Sequence, residues 1–500
     1  MKERYLVPIA ISLCVLAILS AGTSISDAAE YESPFGMYSY NTHGSGSDGD
    51  PYWSNIEGFD SSEKTVTIQS SLEGYQMFEI SAGAFGRCEG MTDLVLPVTL
   101  KRIGANAFHD CISLERIYFL GDKPTIDPSA IPSDVELYHL SGTSGWGSGI
   151  KVLDLRIYSG SGFSIGYYVM DGEATIHSLI DGTVIMIPSH VSVGGTEYTV
   201  MAIGNESFRN TNVREVHIPD SVTLIGVRAF YHADDLETIS FPAGLKIVAD
   251  EAFRECGKLS NMDLHSAEYI GFESFRMCYS LTEVIIPDTV TSIHEGSFRV
   301  CTSVKLLVIG SGITDIPPSC FDYYYSLETI EVRGTIKSIG ASAFFNSSAR
   351  QSLLERIDFP DVESIGAHAF RNNISLEKIN FGNSLKSIGN EAFYGCRGIV
   401  SLTFPGSLES IGNMAFYDNR ELEDAYFEGS MPQMGEFVFG GSDVTVHCKG
   451  SYKDSWIGYD GKLVVDGERN YPNVIWIILI IVVMIAAFVV MSLKRRKDEV

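Results

Sequence analysis

Basic residues are scarce in this chain: 36 Lys and Arg stand against 63 Asp and Glu over 500 residues, a net charge of −27. Sequence-independent binding to nucleic acid depends on Lys and Arg neutralising phosphates, so that class of partner is excluded. Histidine is scarce too. None of the eleven lies three or four residues from another, so there is no helical His pair for zinc. Isolated ones such as His217, His265 and His294 read as surface or turn residues. Long apolar runs are confined to the two ends. With 45% hydrophobic and 20% charged residues, however, the chain can bury large cores and is not globally disordered.

The ends have a layout of their own. Lys2 and Arg4 precede an apolar run from Leu6 to Leu19 and a small-residue stretch, the pattern of a secretory signal peptide cleaved between Ala21 and Ala29. Val474 to Leu493 is a run of 20 residues in which only Ser492 is polar, enough for a helix to span about 30 Å of hydrocarbon. Tyr471 and Trp476 sit where an interfacial aromatic belt would, and KRRK follows at Lys494 to Lys497. Positive flanks stay on the cytoplasmic side, which places the middle of the chain outside the cell.

One phrase returns through that middle. ISAGAF ends at Phe85, IGANAF at Phe108, IGNESF at Phe208 and IGVRAF at Phe230, and the series runs on through Phe253, Phe275, Phe298, Phe321, Phe344, Phe370, Phe393, Phe416 and a decayed Phe439. From Phe208 onward the spacings are 22, 23, 22, 23, 23, 23, 26, 23, 23 and 23. Before each phrase lies another, such as LETISFP at Leu236 to Pro242, whose apolar residues alternate with polar ones as in a short strand with one buried face. Pro219, Pro242, Pro287, Pro360 and Pro405 end it, since proline cannot donate to a ladder. A unit of this size cannot bury its own Leu, Ile and Phe, so the coils must stack into a solenoid with parallel strands about 4.8 Å apart. The spacing of 26 reflects extra residues after Phe344, expected as a surface loop.

Between Phe108 and Phe208 a decayed coil, IDPSAI, leads into SDVELYHLSGTSGW ending at Trp146. After Phe439 the chain repeats the device with SDVTVHCKGSYKDSW ending at Trp456, so both read as caps. A hairpin turning at Asp171 and Gly172 then opens a second array.

Catalytic motifs fail on context. GSGSDG at Gly44 to Gly49 fits GxGxxG, but no strand leads in and no helix follows. GFSIG at Gly162 to Gly166 fits GxSxG, yet a nucleophile elbow needs a strand, a strained turn and a helix, where a hairpin is expected here. Carboxylates are scattered by the repeat with no pair at a glycosidase spacing. Six cysteines sit three residues after the repeat Phe: Cys88, Cys111, Cys256, Cys278, Cys301 and Cys396. They read either as disulfides between adjacent coils, encouraged outside the cell, or as small buried apolar groups. Asn372 and Asn419, in or next to the same turn of other coils, favour the second reading. One residue after Phe runs a row of Arg209, Arg254, Arg276, Arg299 and Arg371, with Tyr231, Tyr394 and Tyr417 in other coils. This row could take an acidic ligand, but an edge that pairs with local acids is the simpler expectation.

The pattern LxxIxFPxxLxxIGxxAFxxC, the DG hairpin and the VTVHCKGSYKDSW ending together resemble the BspA-like leucine-rich repeat family of surface proteins, over roughly residues 80–140 and 203–449. The expected fold is a leucine-rich repeat solenoid, β-rich, with short parallel strands and irregular turns, in two arrays with β caps. The expected organisation is a signal peptide at 1–28, a short array at 29–155, a long array at 156–466, a linker at 467–473, a transmembrane helix at 474–493 and a cytoplasmic tail at 494–500. The resemblance implies export, attachment to the cell surface and adhesion to host or neighbouring-cell proteins. No LPxTG wall-sorting signal is present; the membrane helix would anchor the chain instead.

The strand residues that do not point inward vary from coil to coil, while the inward ones repeat. They are Glu237, Thr238, Glu283, Ile285, Glu328, Glu331, Glu355, Arg356, Asp358, Glu377, Lys378, Glu423, Asp424 and Tyr426, an acidic-to-mixed platform suited to a protein partner. The expected function is therefore protein recognition or adhesion without catalysis, cofactor or metal. The expected partner is an extracellular or cell-surface protein, glycoproteins included. A passive, self-assembling envelope component and an extracellular hydrolase are the alternatives.

Overall fold

The computed structural model describes residues 29–34, 36–43, 53–85, 88–347, 352–457 and 459–466. The signal peptide, linker, membrane span and cytoplasmic tail expected from the sequence, and the GSGSDG string, lie outside the described residues. Among the described residues no helix is long and apolar enough to cross a membrane.

Almost all regular structure is β, in short parallel strands stacked from coil to coil. Most coils open with a front strand of three or four residues. In Thr238–Ser240, Glu283–Ile285 and Arg356–Asp358 the outer residues are exposed and the central Ile or Val is buried, the period of two expected of a strand with one covered face. The proline turn follows, with Leu245 N donating to Pro242 O (3.1 Å) and Val290 N to Pro287 O (3.2 Å). The chain then makes a second, two-residue strand such as Ser364–Ile365, Ser387–Ile388 and Ser410–Ile411, paired in register across coils. The sequence led us to expect one ladder; the structure has two, at the front and back of each coil.

Glycine follows the back strand because neighbouring coils touch there. Gly389 N donates to Ile365 O (2.7 Å), and a Cβ on Gly389 would lie 2.5 Å from Ala367 N. Next the chain reverses through two left-handed residues, one two positions before the repeat Phe and one two positions after it. Glu251 (φ 53°), Glu273 (45°), Ser342 (57°) and Glu391 (54°) hold the first place, and Glu255 (65°), Met277 (62°) and Val300 (63°) the second. Between them the Phe rings stack nearly parallel: Phe230–Phe253 at 5.0 Å, Phe275–Phe298 at 5.2 Å and Phe393–Phe416 at 5.2 Å between centroids. That spacing matches the strand separation of a sheet, so one ladder sets the other.

The core is divided. One cluster runs from Tyr31 to Val135 and another from Phe163 to Trp456, with a third, including Val95, Tyr118, Leu153 and Tyr168, bridging the two stretches. The first stretch begins with antiparallel strands, Ala29–Ser33, Gly36–His43 and Trp53–Asp60, before the parallel coils start. The second begins with a hairpin, Phe163–Met170 and Glu173–Asp181, turning at Asp171 (φ 49°) and Gly172 (φ 83°), and this hairpin contains the GFSIG string. Trp146 packs on Phe119 at 4.7 Å and Trp456 on Phe427 at 4.7 Å. Each capping segment is followed by one more parallel strand, Lys151–Leu153 and Lys462–Asp466.

The first stretch lies back along the early coils of the second. Tyr31 Oη donates to Asp250 Oδ1 (2.5 Å) and lies 3.0 Å from Tyr269 Oη, all three side chains being buried. Ser71 Oγ donates to Glu251 Oε1 (3.1 Å), and the Arg228 guanidinium to Gly74 O (3.2 Å). His294, expected at a surface turn, packs at a tilt against the rings of Tyr269 (4.8 Å) and Tyr31 (5.4 Å), and burial holds its pKa down to about 4. It is covered because the fold-back brings Tyr31 over it.

Candidate functional site

Along the second stretch the front strands form four sheets. Val184–Met186, Glu215–His217 and Thr238–Ser240 make the first; Glu283–Ile285, Leu306–Ile309 and Thr329–Val332 the second. Arg356–Asp358 pairs with Lys378–Asn380, and Ser401–Phe404 opens a last sheet ending in Lys462–Asp466. The platform is thus segmented. Between the first two sheets the coil around Asn261 has no front strand, and its side chain takes over the ladder: Asn261 Nδ2 donates to Ile239 O (2.8 Å) and Asn261 Oδ1 accepts from Ile239 N (3.3 Å).

Every platform residue read from the sequence is exposed or half-buried on this face. Glu237, Glu328, Glu355, Glu377 and Glu423 precede their strands by one residue and form a carboxylate row at the strand entrances. Thr238, Glu283, Ile285, Glu331, Arg356, Asp358, Lys378, Asp424 and Tyr426 lie within the strands, where register aligns Arg356 with Lys378 and Ile285 with Val308 and Glu331. Some charges are matched locally, Arg214 with Glu237 at 3.2 Å and Arg356 with Asp358 at 3.0 Å. Glu331, Glu355 and Glu377 have no ion pair among the described residues, and neither has Lys378, which lies in register with Arg356. Sequence reasoning did not place His217, Asn261 and His447 on this face; His217 and His447 lie in strands and were readable from the alternation, whereas the coil of Asn261 lacks a front strand. His447 stacks on Tyr426 at 4.3 Å and pairs with Asp424 at 2.8 Å.

The turn side is different chemistry. Arg254 reaches Glu251 (2.9 Å) in its own coil and Glu273 (2.8 Å) in the next, Arg276 reaches Glu273 (2.8 Å), and Arg371 pairs with Glu391. The row does pair with local acids, though it is largely covered rather than solvated. Burial would raise the pKa of Glu251, but the guanidinium groups of Arg228 and Arg254 hold it below the ordinary value.

The cysteines occupy the turn interior. Cys256 Sγ donates to Phe230 O (3.1 Å), Cys278 to Phe253 O (3.3 Å), Cys301 to Phe275 O (3.2 Å) and Cys396 to Phe370 O (3.1 Å). Each thiol thus fills space and gives a second hydrogen bond to a carbonyl that already accepts a backbone N–H within its own turn, as Phe230 O does from Ala233 N (3.0 Å). Asn373, not Asn372, holds the equivalent place, its Nδ2 donating to Phe344 O (2.8 Å); Asn372 is the left-handed residue before it. Among the described residues no group of three or more His, Cys, Asp and Glu is placed to hold a metal ion.

Two stacked parallel ladders per coil, a Phe spine and a one-sided front face define a leucine-rich repeat solenoid. The BspA type leucine rich repeat region matches residues 59–141, 201–268, 264–352 and 348–447 in 6 copies, about two thirds of the chain. The chain belongs to that family. No curated protein matches it. Solved structures similar to it include a leucine-rich cell-surface protein from Faecalibacterium prausnitzii, 23% identical over 54% of this chain and 88% of that one, with a TM-score of 0.33. A leucine-rich repeat protein from Bacteroides ovatus is 20% identical over 62% and 99%, with a TM-score of 0.32. The pneumococcal vaccine antigen PcpA is 19% identical over 62% and 85%, with a TM-score of 0.37.

Proposed function

We propose that the protein is a cell-surface recognition ectodomain, held by a single membrane span, that binds a protein partner through the front strands of its long array and performs no catalysis. The ectodomain comprises a short array at 29–155 and the long array at 156–466, with the C-terminal tail in the cytoplasm. Membership of a repeat family agrees with protein binding, since stacked coils offer an extended surface rather than a cleft. The observation that carries the reading is the contrast on each strand: inward residues repeat, outward ones such as Ile285, Glu331, Asp358 and Tyr426 change from coil to coil. A scaffold requires only the inward pattern, whereas a specific partner requires the outward differences.

A photo-cross-linking residue at Ile285 is expected to trap a protein on intact cells, and one at Tyr231, on the turn side, to trap none. Equal trapping from both positions removes the front face from the account. On the same cells, added protease should cut away an epitope placed near Asp466 and spare one placed after Val500. Protection of both epitopes contradicts surface display.

A further inference from the structure

The acid that sits two residues before the repeat Phe is missing from consecutive coils, and the gap is hollow. Where Glu251, Glu273 and Glu391 hold this position, their carboxylates fill the space beside the arginine row. In the coils of Phe321 and Phe344 it is occupied by Ser319 and Ser342. What opens is a cavity of about 490 Å³ on the turn side, within the about 300–1,000 Å³ range of ligand pockets.

Its lining has the three features that a polyhydroxylated ring needs. Asp322 is 2% exposed; one carboxylate oxygen lies 3.0 Å from Arg299 Nε, and the other, Oδ1, is buried without a hydrogen-bond partner. Burial holds the pKa of this carboxyl up to about 7, and a buried polar oxygen left without a hydrogen bond is costly in either protonation state. Arg371 and Asn372 bring donors to the opposite wall. Tyr323 and Phe345, 5.4 Å apart in an edge contact, supply apolar ring surface for the C–H face of a sugar. The charge balance discriminates among ligands. Arg299 faces Asp322 and Arg371 faces Glu391, so each guanidinium already has a carboxylate partner, which favours a neutral ligand over a phosphate or carboxylate.

We propose that this cavity is a subsite for a neutral pyranose, the terminal or internal residue of a glycan, with the unpartnered oxygen of Asp322 hydrogen-bonding a ring hydroxyl. It lies on the turn side and does not depend on the front face being a protein-binding surface. Any glycoprotein partner would present both kinds of surface.

The repeat supplies its own blocking variant. Arg228 is the natural occupant of this position in the coil of Phe230, at φ 54°. Ser342→Arg therefore suits the backbone, fills the hollow and offers Asp322 the donor it lacks. Met414→Arg makes the same change in a distant coil and serves as the control. Purified full-length protein is titrated with methyl β-galactoside, methyl α-mannoside, N-acetylglucosamine and N-acetylneuraminic acid, observed by saturation-transfer NMR, with thermal midpoints confirming folding. At least one of the three neutral sugars should bind with a Kd of about 1 mM or tighter, with a loss of at least about tenfold in Ser342→Arg and none in Met414→Arg. The proposal is overturned by a wild type that binds no neutral sugar at about 10 mM, by binding of N-acetylneuraminic acid alone, or by affinity unchanged in a folded Ser342→Arg.

Discussion

Phe298 lies between the rings of Phe275 at 5.2 Å and Phe321 at 6.0 Å, with no exposed surface. Truncating it removes contacts to two neighbouring coils as well as its own, so Phe298→Ala should cost about 3–5 kcal/mol. A thermal midpoint within a degree or so of wild type would show that the ring spine is not the core. At this scale the Ala-Phe phrase was legible because burial selects one residue type at one place in every coil. The left-handed positions on either side were not. Glycine holds them in only a few coils, as at Gly296 and Gly395; elsewhere they carry Glu, Arg, Ser, His, Met and even the β-branched Val300, so no consistent glycine marks them, and coil geometry imposes the backbone from outside. The roles of Cys and Asn373 at the third position were half legible: the sequence shows a small side chain in the turn, but the carbonyl it donates to belongs to the preceding coil.

Elements divide by length. Front strands were readable because three or four residues suffice for an apolar residue between two polar ones, and the platform residues followed from the same alternation. Back strands such as Ser387–Ile388 are too short to alternate, and the strand at Lys462–Asp466 lies beyond the last repeat phrase, where periodicity gives no guide. In coils where glycine follows the back strand, neighbouring coils approach most closely there. Gly389→Ala places a methyl 2.5 Å from Ala367 N and 2.6 Å from Gly366 C, both backbone atoms that cannot move aside. The coils must part, at about 1–3 kcal/mol for overpacking. Guanidinium melts of the variant measure the cost; a midpoint equal to wild type would mean that the coils do not make this contact.

On the scale of the whole molecule the fold-back is the feature no local pattern encodes, since Tyr31 and Asp250 lie 219 residues apart. Burial is the main cause of the raised pKa of Asp250, which sits at about 7 rather than 3.8; Glu251 and Glu73 push in the same direction, while Tyr31 and the Phe272 amide oppose. Between about pH 4 and 7 the folded state therefore holds a proton that the unfolded state has lost, so stability rises as pH falls through that window. Asp250→Asn keeps the shape and removes the titration. Its thermal midpoint should change less between pH 5 and pH 7.5 than the wild type's, and an identical pH profile would place Asp250 elsewhere than in this buried contact. The most direct test of the account concerns the front face, where Glu328, Glu331, Glu355 and Asp358 are all exposed. Replacing all four with Ala should leave the melting curve nearly unchanged, since surface substitutions usually stay within about 0.5 kcal/mol each. Against a basic protein partner, binding measured at two salt concentrations should show slower association and a flatter salt dependence for the quadruple variant, because such charges mainly steer encounter. Association and salt dependence identical to wild type, with binding lost instead on deleting residues 31–155, would contradict recognition by the long array.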